Sequence, residues 1–120
     1  MRPLLLVALH LLALQGWAAP VLQPHSQAEL IAERTAVAPG RTFTVALRLR
    51  LEDGWHVYWK NPGDSGMATS IAWALPAGFS AGAIQWPHPA RIDTGPLTSY
   101  GYERGVLLLA DLQPPAALAF

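Results

Sequence analysis

Three observations in this 120-residue sequence predict an all-β fold, an immunoglobulin-like antiparallel β-sandwich. The segment R-T-F-T-V-A-L-R-L-R-L at 41–51 alternates with period two. Short apolar runs recur along the chain with turn residues between them. No run of strand followed by helix appears, which disfavours an α/β fold. Short strands spaced by about ten residues, each closed by turn chemistry, are the signature of a sandwich.

Each element follows in chain order. Residues 19–27 (A-P-V-L-Q-P-H-S-Q) read as an extended leader, because Pro20 and Pro24 exclude a helix. A-E-L-I-A-E-R at 28–34 reads as a strand that ends before the Ala38-Pro39-Gly40 turn. In 41–51, Phe43, Val45, Leu47, Leu49 and Leu51 share one face, with Thr42, Thr44, Ala46, Arg48 and Arg50 on the other. That pattern is a half-buried strand. Glu52-Asp53-Gly54 then turns the chain, since Asp-Gly supplies the positive φ of a tight hairpin.

The next strand is Trp55 to Lys60, with Trp55, Val57 and Trp59 on one face and His56, Tyr58 and Lys60 on the other. The loop N-P-G-D-S-G ends it. Further strands are expected at 70–75 (S-I-A-W-A-L), 83–86 (A-I-Q-W) and 105–112 (G-V-L-L-L-A-D-L). Residues 90–104 read as loop. Six strands are fewer than the seven or so a sandwich of this kind uses, and Pro114-Pro115 leads on without a strand. One or more closing strands are therefore expected beyond the chain, with 113–120 as a truncated linker.

The first 18 residues stand apart. Arg2 is their one charge, Leu4 to Leu14 is almost wholly apolar, and Gly16 and Ala18 offer small residues at a cleavage site. A charged start, an apolar run and a small-residue exit define a secretory signal peptide, here cut after Ala18. The run is about eleven residues, short of the 20 or so that span a bilayer. A buried helix would instead carry polar residues along one side. The mature chain would hold seven Lys/Arg against eight Asp/Glu, so no basic patch points to nucleic acid. Cysteine is absent. An exported domain without cysteine is held by its core and has no thiol chemistry of its own.

Each candidate site also has a plain structural role. Trp55, Trp59, Trp73 and Trp86 resemble a ligand platform, but a domain this small also needs their burial, about 150–250 Å² each. Tyr58 and Tyr102 are expected nearer the surface, and with His56 they would form a glycan or peptide site. His56, His88 and Met67 suggest copper, yet lack a close ligand spacing such as H-x-H or M-x-x-M. Ser65 in G-D-S-G resembles a protease serine without the scaffold such chemistry needs. Asp64 and Ser65 instead suit a turn, with Gly63 and Gly66 supplying unusual φ. Glu52 and Asp53 are adjacent on a hairpin tip and do not form a catalytic pair. No catalytic residue, cofactor or metal is expected.

Four motifs stand in order: D-G-W-H-V-Y-W-K-N-P-G-D-S-G, then I-A-W-x-L-P-x-G-F, then I-Q-W-P-x-P, then Y-G-Y-E. Over about residues 28–115 the series resembles the N-terminal periplasmic domain of DsbD-like thiol:disulfide interchange proteins. The closer likeness is to the ScsB branch, associated with copper tolerance. The resemblance implies an immunoglobulin-like domain at 28–112. It also implies a parent protein-disulfide reductase in a bacterial inner membrane, with a multi-helix membrane domain and a thioredoxin-like domain. Its partners would be periplasmic thiol-disulfide proteins, including those of cytochrome c biogenesis. That chemistry needs a pair of cysteines, and this chain has none. The resemblance therefore implies the non-catalytic part. Its matching positions, with Tyr58 among them, are expected to be scaffold or interface: Trp55, Trp59, Asn61, Pro62, Gly63, Asp64, Gly66, Trp86, Pro87, Tyr100, Gly101 and Tyr102. A stand-alone periplasmic module that binds a ligand or copper is the alternative.

Overall fold

A computed structural model describes residues 7–10, 20–34 and 36–117. Ten strands run in order among them: β1 (Val7–His10), β2 (Val21–Gln23), β3 (Ser26–Ala32), β4 (Phe43–Leu51), β5 (His56–Gly63), β6 (Ile71–Ala74), β7 (Ser80–Ala81), β8 (Ala90–Thr94), β9 (Leu97–Glu103) and β10 (Gly105–Gln113). They form a five-stranded sheet in the order β2-β3-β4-β10-β7 and a three-stranded sheet in the order β5-β9-β8. A small parallel pair joins β1 to β6. The described residues contain no helix long and apolar enough to cross a membrane.

The alternation in β4 does what its sequence predicts. Phe43, Val45, Leu47 and Leu49 are buried, and Arg50 is exposed. β10 lies antiparallel to β4 from Leu112↔Phe43 to Gly105↔Arg50 and contributes Leu108, Ala110 and Leu112. β3, on the other side of β4, contributes Ala28 and Leu30. Val57 and Tyr102 close this core from the three-stranded sheet. Trp59, Trp73 and Trp86 are half-buried against it. Fully burying one Leu stabilises the fold by about 1.5–3 kcal/mol, so this layer between the sheets dominates its cohesion.

Several expected boundaries shift. Residues 90–104 are not loop but the hairpin β8–β9, turned at Gly95-Pro96 with Gly95 at φ 58. Their polar outer residues Arg91, Asp93 and Thr98 hide the strand from a reading of polarity. The strand expected at 83–86 is a single bridge, Gln85 to Leu109, and β7 lies just before it. Part of the leader is a short edge strand: β2 folds back on β3 through a turn at Pro24-His25. Residues 114–115 pack on the domain, with Pro114 fully buried and the Pro115 carbonyl accepting the Gly40 amide. The expected signal peptide lies mostly outside the described residues, apart from the backbone of β1.

Candidate functional site

The W-H-V-Y-W-K-N-P-G-D-S-G stretch becomes β5 and the turn that closes it. β5 pairs with β9 from His56↔Glu103 to Tyr58↔Gly101, slips through a bulge, and resumes at Gly63↔Ser99. A bulge bends its strand and re-aims the residues beyond it. Past the bulge the chain doubles back over β5, and Ala68 meets Tyr58 in a parallel bridge.

Glycines make that path possible. Gly63 sits at φ 91, and a Cβ there would stand 2.6 Å from the Thr98 carbonyl oxygen. Gly66, at φ 86, lies flat on the Tyr58 ring, where a Cβ would come within 2.3 Å. In β9, a Cβ on Gly101 would stand 2.1 Å from the Val57 carbonyl oxygen. Distances this short leave room only for hydrogen, so each position requires glycine.

Polar clamps then fasten the turn. The Asp64 amide donates to the Thr98 carbonyl at 2.9 Å, and the Asp64 carboxylate accepts the Thr98 amide at 2.8 Å. The Ser65 and Ser99 hydroxyls lie 2.9 Å apart. The Thr69 amide and hydroxyl both donate to the Tyr58 carbonyl, at 3.2 and 2.9 Å. Beneath this cover, the Tyr58 hydroxyl shares a 3.0 Å hydrogen bond with His56 Nε2. Buried polar groups are costly unless paired: His56 pairs the Tyr58 hydroxyl and Thr69 pairs its carbonyl.

This geometry corrects one expectation. Tyr58 and Tyr102 are not surface rings: they are 0% and 6% exposed. Tyr58 is sealed by the Gly66 turn, and the Tyr102 hydroxyl donates to the Pro87 carbonyl at 2.7 Å. Burial raises the Tyr102 hydroxyl above its ordinary pKa of 10.0. A glycan platform built on Tyr58, His56 and Tyr102 is thereby removed.

The remaining motif residues divide. Trp86 is half-buried on the core, while Lys60 and Asn61 are exposed and Pro62 is half-buried. Tyr100 is exposed and meets Trp59 edge-on at 6.4 Å, with Lys60 Nζ 5.6 Å from the Trp59 ring. Trp55 leaves the core cluster and stacks on His25 at 3.8 Å, whose Nδ1 lies 3.1 Å from the Glu52 carboxylate. The sequence reading missed this contact; its signal was His25 in a Pro-His turn, where it takes φ 67. His88 and Met67 are exposed, and no group of three or more His, Cys, Asp or Glu among the described residues could hold a metal ion. Ser65 is hydrogen-bonded to Ser99 as part of the clamp.

Two facing sheets around one core, with a glycine-dependent clamp on the smaller, define an immunoglobulin-like β-sandwich. Residues 27–120 match the family described as "Thiol:disulfide interchange protein DsbD, N-terminal", and the chain belongs to that family. Among solved structures, the N-terminal periplasmic domain of ScsB from Proteus mirabilis is similar, with a TM-score of 0.57 at 21% identity. The likeness covers 86% of this chain and 40% of that one, so this chain spans less than half of that relative. No curated protein sequence matches.

Proposed function

We propose that the chain is the periplasmic N-terminal module of a thiol:disulfide interchange system, contributing a rigid, cysteine-free scaffold rather than thiol chemistry. The carrying observation is family membership across 27–120 in a chain with no cysteine. The motif residues support a scaffold reading: Tyr58, Gly101 and Tyr102 are buried, and the more exposed Gly63, Asp64, Gly66 and Pro87 make internal contacts that hold them in place. On this reading residues 1–18 direct export and are removed. The partners are periplasmic thiol-disulfide proteins and the membrane and thioredoxin-like domains of the reductase, with electrons passing through cysteines those parts supply.

The test is a gene deletion in the source organism, read as the redox state of periplasmic disulfide-exchange proteins by thiol alkylation. Their accumulation in oxidised form is expected. Wild-type gene and Ser65→Ala should restore the reduced form, whereas Gly101→Val, which breaks the scaffold, should not. An unchanged redox state in the deletion strain overturns the reading.

A further inference from the structure

The five-stranded sheet carries an unused edge. The Leu51 amide donates to the Arg104 carbonyl. In an antiparallel ladder the bonding pairs alternate, so the even residues of β10 face β4 and the odd residues face away. The Leu109 and Asp111 carbonyls obey this rule, accepting Gln85 and Gly82 amides from outside. Gly105 and Leu107 are the next odd positions, and among the described residues no strand pairs with their outward side.

The outer face beside that edge is chemically marked. Arg48, Leu49, Arg50, Gly105, Val106 and Leu107 line an open depression of about 360 Å³. Its floor opens where Gly105, opposite Arg50, has no side chain. Leu107, opposite Arg48, is 48% exposed. Arg48 bonds the Glu29 carboxylate through one terminal nitrogen, while its buried Nε has no acceptor. Arg50 is exposed, and no ion pair forms to it among the described residues. The depression thus offers an unneutralised guanidinium at Arg50, an apolar side chain at Leu107 and open backbone groups.

We infer that the Gly105–Leu107 edge of β10 docks an extended partner segment in which acidic and apolar residues alternate. The segment's backbone would extend the sheet, giving affinity through main-chain hydrogen bonds. On one face of such a strand every second side chain is aligned, so a carboxylate would reach the exposed Arg50 across Gly105. Guanidinium–carboxylate bonding sets the charge preference. This inference does not depend on the redox reading.

The probe is a heptapeptide of alternating Val and Glu, titrated into the full 120-residue chain with amide exchange followed by NMR. Exchange at Gly105 and Leu107 is expected to slow at least fivefold, and a Val/Lys heptapeptide to bind at least tenfold more weakly. Arg50→Glu should erase that preference. Leu107→Pro should abolish binding while sparing the β4 ladder, because the proline removes an outward amide. Where that variant melts early, a Val/Glu peptide N-methylated on its bonding edge makes the same test with the protein untouched. Equal binding of both charge types, protection away from β10, or full affinity of the N-methylated peptide overturns the inference. So does concentration-dependent protection without peptide, which would mean that a second copy of the chain occupies the edge.

Discussion

In the five-stranded sheet, β4 alternates: Phe43, Val45, Leu47 and Leu49 are buried, each followed by a more exposed residue, Thr44, Ala46, Arg48 and Arg50. In the three-stranded sheet, β5 buries His56, Val57 and Tyr58 in succession. One sheet has a core face and an outer face. The other has a strand covered on both, by the core beneath Val57 and by the Asp64–Thr69 turn above Tyr58. Burial in the first is supplied by apolar periodicity. In the second it is supplied by glycines that allow close approach and by polar groups that seal the cover. The motif that marks the family lies in the second.

The comparison can be broken most sharply at Gly101. Gly101→Val drives a side chain into the Val57 carbonyl, and the expected loss exceeds about 4 kcal/mol, the range of severe overpacking. Thermal melting should find little folded protein. A loss below that of a simple core truncation would mean that β5 and β9 can separate freely. The core truncation is Leu47→Ala in the alternating sheet. It should cost about 3 kcal/mol through lost burial and cavity formation, measured by urea unfolding.

The clamp itself carries smaller effects. Asp64→Ala removes the acceptor of the Thr98 amide, an exposed charge-assisted bond worth about 1 kcal/mol. Faster hydrogen exchange at Thr98, with little change across β4, would localise the effect to the turn. Tyr102→Phe should cost under about 1 kcal/mol at neutral pH, because only the bond to Pro87 is lost. Its signature lies in alkali. Burial raises the folded-state pKa of Tyr102 above 10.0, so the neutral ring's contribution is complete below the unfolded pKa. It falls as pH rises through the folded value. Wild type should therefore lose stability above about pH 10 more steeply than Tyr102→Phe, as followed by melting temperature against pH.

The two sheets also differ in how far they could be read from sequence. β4 and β10 declare themselves because period two encodes their facing directly. Asn61-Pro62-Gly63, expected as loop, instead continue β5. The turn at Asp64-Ser65-Gly66 was legible from its glycine and Asp-Ser. The burial of Tyr58 was not, because the residue that covers it is Gly66, which brings no apolar signal. Tyr102 likewise looked like a surface ring, since its hydroxyl partner is the backbone carbonyl of Pro87, fifteen positions away. β8 and β9 were hidden for a related reason. Pairing rather than composition makes them strands, and β8 exposes all its residues except Ile92.

The register of β4 against β10 has a consequence for how the molecule is made. Phe43 finds its neighbour in Leu112, and Arg50 in Gly105. The middle of the larger sheet thus joins two segments with all of β5 to β9 between them. Such distant pairings raise contact order and slow folding. A nascent chain that already carries β3, β4 and the whole three-stranded sheet still has Leu47 and Leu49 uncovered on the β10 side. Until β10 through Gln113 has docked, that half-built apolar surface stays open and prone to association.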